Sequence, residues 1–384
     1  MERFWRAKPK QEQPQESIPT EGASSGVYER IKTETKWLKI IQEKKDGPEP
    51  ITEKDGSIIL EGMSLKIMQL FYTDEPGDAS HCLQQLELAW SEKRVISIDD
   101  SLTQEQLSSK YEEFISEEEI TLLKRDAAII NDMLTQMRTG MPDYQRFKDK
   151  PHSKIYYRHE EGLNQLTLYV EEVFECPLLN IFAVMGEAQL FKNWVPMMKQ
   201  SEIVADVSHL RKLAYFRVAL PWPFEQRECY LQACGQILKE ENAAVLSMCT
   251  VDEDSWLGVA LKRNPKYVRV DVHRSFIYAQ MLDPTHCTLK MVINGDPHIT
   301  FIPQKLINFT LKNVIGVFIR QIGKKAQKLP QEYVDLIEQK SEYYDAIMRK
   351  ISQLKPGEGL ADGEGQDDDE DEFQDAQGEE QYSQ

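Results

Sequence analysis

The order of hydrophobic periods constrains this chain most: a run of two-residue alternations ends in one long helix that is apolar over most of its girth. Residues 304–329 carry Ile307, Leu311, Val314, Ile315, Phe318 and Ile322 on one face, and Leu306, Val317 and Ile319 widen the stripe. A helix of that kind must be covered on most sides, and Pro330 stops it. Ahead of it stand strand candidates at 201–207, 211–220, 228–238, 243–251, 268–282 and 286–294, several joined by short polar turns such as 239–242 and 283–285. Consecutive strands with short turns make an antiparallel meander. The predicted class is therefore α+β, with one curved antiparallel sheet wrapped around the long C-terminal helix.

The strands present Ala214, Phe216, Val218 and Leu220; Cys229, Leu231 and Ala233; Ala244, Leu246 and Met248; Val268, Val270 and Val272; and Cys287, Leu289, Met291 and Ile293 to one side. Arg217, Gln232, Arg269, Asp271, His273 and Lys290 alternate with them, which predicts one face inside and one in water. Upstream, residues 117–138 form a helix with Ile120, Leu123, Ala127, Ile130, Leu134 and Met137 on one face. Gly140, Met141 and Pro142 end it, and strands follow at 154–158 and 165–174. Pro177 opens a further helix running through Phe182, Met185, Leu190 and Trp194 to Pro196.

The flanks read differently. Residues 1–56 are mostly disordered by composition, with a short amphipathic helix over 27–45 built on Ile31, Trp37, Leu38 and Ile41. Residues 57–116 form an N-terminal extension whose apolar patches, at 57–72 and 83–98, do not specify an element type. Residues 117–330 are the main domain. Residues 331–352 read as one amphipathic helix bearing Val334, Ile337, Ser341, Tyr344, Met348 and Ile351; packing on the domain is expected, with self-association as the alternative. Residues 353–384 are an acidic disordered tail.

Twelve acidic residues and no Lys or Arg lie from Pro356 onward, so a net charge of −18 leaves an ordinary −6 elsewhere. That balance repels a phosphate backbone and excludes nucleic acid as a partner. No signal peptide and no run of about 18 apolar residues is seen, so a cytoplasmic protein with at most peripheral, transient membrane contact is expected. The six cysteines show no paired spacing and are expected as reduced thiols, with no metal site. The seven histidines form no HExxH, no serine sits in GxSxG, and no glycine loop cradles phosphate. Neither catalytic residue nor cofactor is therefore expected, and His273 beside Asp271 reads as a solvated pair on the polar strand face.

Three motifs then fall in order. Pro221-Trp222-Pro223-Phe224-Glu225-Gln226-Arg227-Glu228 resembles the Pro-Trp-Pro…Arg-Asp segment of START domains, the steroidogenic acute regulatory protein-related lipid-transfer family. The stretch 190–196, with Trp194, resembles the helix and tryptophan before that segment. Asp296-Pro297, Phe301-Ile302-Pro303 and Leu306-Ile307-Asn308 resemble the entry to the family's last helix. The resemblance covers about 117–329. Glu228 stands where the family usually has Asp, and His298 where it often has Gly.

The resemblance implies a helix-grip fold whose sheet leaves an apolar tunnel for one sterol, phospholipid, ceramide or similar molecule. The alternation by itself does not separate solid core from cavity and, taken alone, favours the solid core; the resemblance favours the cavity. Its walls would be Trp194, Phe216, Val218, Leu220, Trp222, Leu231, Leu246, Met248, Val270, Val272, Leu289, Met291, Ile293, Ile307, Leu311, Val314, Ile315 and Phe318. Arg227, Asp296, Pro303 and Asn308 would be structural, Arg227 through an ion pair. Loops 252–265 and 283–285 are candidate lids, with Trp256 and Leu257 as apolar tips of the first. Lys324, Lys325 and Lys328 oppose the negative end of the last helix and could also touch anionic headgroups; the acidic tail reads as a solvated segment, with screening of those lysines from membranes as the alternative. The expected function is non-catalytic binding and transfer of a lipid or sterol. Two alternatives are an interaction module using its termini for a protein partner and a cyclase-type enzyme needing inward polar groups.

Overall fold

The structure, a computed structural model, describes residues 35–353 except 45–46, 140–142, 160–164, 222, 300–306 and 308. The expectations for the first 34 residues, Trp222, Pro303, Asn308 and the acidic tail after 353 lie outside the described residues.

The N-terminal third is a helical layer. Helix α1 (Lys36–Glu43) precedes β1 (Glu53–Lys54) and β2 (Ser57–Ile59), then α2 (Leu60–Tyr72), α3 (Pro76–Ser91), β3 (Val95–Ile96), α4 (Gln104–Ile115) and α5 (Glu118–Thr139). Local chemistry sets several boundaries. Pro76 occupies the first turn of α3, where its missing N–H costs nothing. Thr103 caps α4 reciprocally: its hydroxyl accepts from Gln106 N at 3.3 Å, and the Gln106 side chain accepts from Thr103 N at 2.8 Å. Of the helix expected over 27–45, residues 36–43 are described, with Leu38 buried and Trp37 edge-on to Phe114 at 5.8 Å.

The sheet contains β4 (Gln145–Lys150), β5 (Ser153–His159), β6 (Leu166–Phe174), β7 (Met198–Asp206), β8 (Arg211–Val218), β9 (Arg227–Leu238) and β10 (Ala243–Thr250). After a small β11 (Ser255–Trp256) and β12 (Val259–Ala260) ribbon come β13 (Val268–Arg269), β14 (Asp271–Val272), β15 (Ser275–Asp283) and β16 (His286–Asp296). Its order is β4-β5-β6-β16-β15-β10-β9-β8-β7, antiparallel along that path and open at both edges. The single strand expected over 268–282 is three pieces, because β13 pairs with β9 and β14 with β16 before β15 joins β10.

Helix α6 (Leu178–Gly186) and a 3₁₀ turn (Ala188–Asn193) link β6 to β7. After β16 the last helix is described from Ile307: a wide π-helical stretch (Thr310–Ile315), then α7 (Gly316–Gln327). It lies in the concave face of the sheet. There Ile307, Leu311, Ile319, Ile322 and Ala326 pack with Leu168, Val170, Leu289 and Met291. The helix-grip arrangement is thus present. The expected C-terminal helix is two, α8 (Gln331–Gln339) and α9 (Ser341–Ile351), because Lys340 leaves helical geometry at φ −107°, ψ 38°. Tyr333, Tyr344, Ile347 and Ile351 are the buried positions, whereas Met348 is exposed.

The convex face differs from expectation. Much of it is covered: α2 and α3 pack on Leu213, Tyr215 and Tyr230 through Met63, Phe71, Leu83 and Leu86, and α5 packs on Val245, Phe276 and Tyr278 through Ile129, Ile130 and Met133, whereas Arg217, Arg269, Asp271 and Lys290 are half-buried and His273 is exposed. Gln232, expected outside, is 1 % exposed. Burial is tolerated because its polar atoms are paired. Its amide donates to Asp126 Oδ1 at 3.0 Å, and its oxygen accepts from Trp256 Nε1 at 2.7 Å. Trp256 and Leu257 are likewise 1 % and 4 % exposed, packed into this layer on the convex side. They are not tips of a lid over the concave face. His273 and Asp271 do not pair either: His298 meets Asp271 at 2.9 Å, and His273 faces Gln165 at 3.1 Å. Among the described residues no helix is long and apolar enough to cross a membrane.

Candidate functional site: an apolar hollow with one polar end

Between the concave face and the last helix lies a cavity of about 370 Å³. Its origin is legible in residue size. On the inner face, β8, β9, β10 and β15 carry Ala214, Ala233, Ala244 and Ala279. Register puts Ala244 opposite Ala279, and Ala233 opposite Lys212 and Met248. Methyl groups there do not reach the helix, so the wall stands back from it. Phe216, Leu231, Leu246, Met248, Val272, Met291 and Ile293 complete the strand side, and Val314, Ile315 and Phe318 the helix side. The π-helical stretch supplies Val314 and Ile315; widened turns of this kind recur at functional sites.

The other wall residues expected from the sequence lie elsewhere. Leu289, Ile307 and Leu311 are fully buried in the solid core beneath the hollow. Val218, Leu220 and Val270 are half-buried at the far end of the sheet and do not line it. Trp194 stacks on Phe318 with ring centroids 5.6 Å apart and donates from Nε1 to Tyr333 Oη at 3.0 Å. That contact fastens α8 to the domain. Conversely, Ile181, Phe182 and Met185 of α6 and Phe191, Val195 and Met198 beyond it form a wall that strand parity does not reveal.

The motif residues meet as a brace. Arg227 is 4 % exposed and donates from Nε to Pro297 O and from Nη1 to Glu225 O, both at 2.8 Å. It holds the chain before the last helix through backbone carbonyls, not through the ion pair expected. Burial lowers its pKa. Asp296 closes the same turn by accepting from His298 N at 2.7 Å. Glu228 faces the convex side, accepting from Tyr215 Oη at 2.8 Å and Asn264 N at 3.0 Å.

At one end the lining turns polar, with Lys212, His209 and Tyr343. The Lys212 ammonium stands 3.6 Å from Asp206 Oδ1 and 4.4 Å from the Tyr343 ring centroid. Burial disfavours its charge, but Tyr343, Asp206 and Glu187 more than offset that, and its pKa lies above the ordinary lysine value. Tyr343 comes from α9, which Glu187 pins in place. The Glu187 carboxylate accepts from Lys340 Nζ and Tyr344 Oη, both at 2.7 Å. The sequence holds a signal for Lys212, since it shares strand parity with Ala214 and Phe216. No local signal brings in Tyr343, which is 131 positions further along the chain.

Compared by sequence, the chain matches no family model and no curated protein. Among solved structures, human StAR-related lipid transfer protein 5 is similar at 14% identity over 52% of this chain and 94% of that one, with a TM-score of 0.45. Human STARD10 is similar at 11% identity over 60% of this chain and 89% of that one, TM-score 0.46. A STAR-related lipid transfer protein from Xanthomonas axonopodis is similar at 19% identity over 48% and 99%, TM-score 0.40. The fold assignment, an α+β helix-grip with an open sheet, rests on the strand order and register themselves.

Proposed function

We propose that this chain binds one lipid- or sterol-like amphiphile in the hollow and moves it between membranes by exchange, without catalysis. The observation that carries the reading is the hollow itself: about 370 Å³ of space with a wall that is apolar apart from Ser275 and a polar end at Lys212, His209 and Tyr343. That volume lies within the range of small-molecule sites, about 300–1,000 Å³. A core of this sequence had every opportunity to close with larger side chains than four alanines.

Energetics favour exchange over permanent capture. Burying ten methylenes is worth roughly 8 kcal/mol relative to water, but in a bilayer those methylenes are already in an apolar phase. Transfer from membrane to hollow is close to balanced, so contact with a membrane is transient.

Native mass spectrometry of the purified full-length protein, followed by lipid extraction, tests this. A stoichiometric co-purified lipid is expected, and Ala233→Phe, which projects a ring into the hollow, should lose it while remaining folded. A hollow that is empty in the native protein and takes up no lipid from vesicles, with a protein held at the termini instead, replaces the lipid reading by that of an interaction module.

A further inference from the structure

Two of the six cysteines touch. Cys176 Sγ and Cys287 Sγ lie 3.8 Å apart in a thiol–thiol hydrogen bond, although 111 positions separate them in the chain. Register explains how they meet. Cys287 stands opposite Phe174 on the β6–β16 ladder, and Cys176 follows Phe174 by two positions, just past the end of β6. Both thiols are buried in the concave core beside the Phe174 ring. Among the described residues no other two cysteine sulfurs meet.

Reactivity separates the six as well. The thiolate is the nucleophile, so a lowered pKa marks the thiol that reacts first. Burial pushes Cys82, Cys229, Cys234 and Cys249 up, Cys229 to about 12 and Cys249 to about 11. Cys287 is raised too, first by its hydrogen bond to Cys176. Cys176 alone is lowered, because its sulfur accepts that bond.

The pair sits at a mechanical joint. Pro177 caps α6 immediately after Cys176, and α6 supplies Ile181, Phe182 and Met185 to the hollow. At the same end of the helix, Asn180 Nδ2 donates to Ala326 O of α7 at 2.6 Å. A bond between the sulfurs adds a covalent tie from the start of α6 to β16.

We propose that Cys176 and Cys287 are a redox-active dithiol that a peroxide converts to a disulfide, fixing the root of α6, and with it that wall of the hollow, to the sheet. The Cys176 thiolate attacks one peroxide oxygen and the O–O bond breaks, leaving a sulfenic acid on Cys176 and a hydroxide that takes up the proton Cys176 released. The Cys287 thiol then attacks the Cys176 sulfur. The S–S bond forms, the S–O bond breaks, and the Cys287 proton leaves with that oxygen as water. Together the two thiols lose two electrons and two protons, and one peroxide becomes two waters. Because both sulfurs are enclosed, peroxide reaches them when α6 lifts from the sheet, and the disulfide then holds the helix down. The assignment goes beyond the lipid-binding reading and does not depend on it.

Full-length protein is treated with hydrogen peroxide, blocked with N-ethylmaleimide and digested without reductant. A peptide bridged between Cys176 and Cys287 is expected as the main oxidised product, released by dithiothreitol. In the same samples amide exchange in α6 should slow by about tenfold or more on oxidation and recover on reduction. In Cys287→Ala, peroxide should leave α6 exchange where it was. Cys176→Ala should behave alike, so either variant suffices if the other fails to fold. A Cys176 that stays a free thiol, a predominant bridge between any other two cysteines, or a Cys176–Cys287 bridge that leaves α6 exchange unchanged overturns the proposal.

Discussion

Arg211 is the most consequential single side chain on the convex side. Its guanidinium is 2% exposed, hydrogen-bonded to Asp126, donating to Cys234 Sγ at 3.1 Å, and set 4.1 Å from the Phe71 ring centroid. Taking both charges out of water is expensive, and the pair recovers that cost only while both partners remain. Asp126→Leu should therefore cost about 3–5 kcal/mol. The double variant Arg211→Met/Asp126→Leu should recover most of the loss, because it leaves no orphaned charge. Urea midpoints at constant slope measure both, and a double variant no more stable than the single one would refute the account. The neighbouring residue shows what strand parity can and cannot say. Alternation puts Arg211 and Lys212 on opposite faces, as the structure has them. It also makes the Arg211 face wet, since a polar side chain on an alternating strand is ordinarily solvated. Only the helices packed above it, with Asp126 supplied from α5, turn that face into an interior. Lys212 is legible as inward by the same parity, but its partners Asp206 and Tyr343 belong to other elements.

At the scale of elements, legibility follows how many sides each one buries. The last helix, with a broad apolar stripe, and the strands of the meander stand out because one periodic face meets a core. Helix α2 buries Leu60, Met63, Ser64, Leu65, Ile67, Met68, Phe71 and Tyr72, nearly all round, so no single stripe marks it as a helix in sequence. The α8–α9 pair is held through Glu187 on the chain just after α6, and this makes it acid-sensitive. Burial works to raise the Glu187 pKa, but Lys340, Lys212 and the hydrogen bonds from Lys340 and Tyr344 win and hold it below its usual 4.5. A carboxyl with a depressed native pKa stabilises fully above its unfolded value and loses that contribution as pH falls through the native one. Amide protection in α9 should thus fall below pH 4.5 in the native protein. Glu187→Gln should lower that protection at neutral pH and flatten its acid dependence. The expected cost is about 2 kcal/mol, less than for a fully buried pair because Lys340 is 34% exposed. A protection profile in the variant that still follows acid as the native one does would remove Glu187 as the latch.

At the scale of the whole molecule, one sheet separates two unlike interiors. The convex side is packed by α2, α3 and α5, with a cleft of about 180 Å³ left between α3, α5 and β9, and the concave side is packed solid toward β5 and β6, opening to a hollow beneath β8, β9, β10, β15 and part of β16. Tyr215, Tyr230 and Leu213 make their contacts on the convex side, away from the hollow, so the convex layer should hold the strands in place independently of what the hollow contains. Filling the hollow should therefore stabilise the molecule without rearranging the sheet. A ligand at one hundred times its dissociation constant adds about 2.7 kcal/mol to the folded state. For a folded unit of this size that corresponds to a rise in Tm of roughly 4 °C, measurable by calorimetry on the protein before and after lipid is added. Amide protection should rise in β8, β9 and α9, whose side chains bound the hollow, and stay unchanged in α2 and α3. A uniform rise across both layers would mean that the ligand acts on the molecule globally, and no rise at saturating occupancy would mean that it sits outside the hollow.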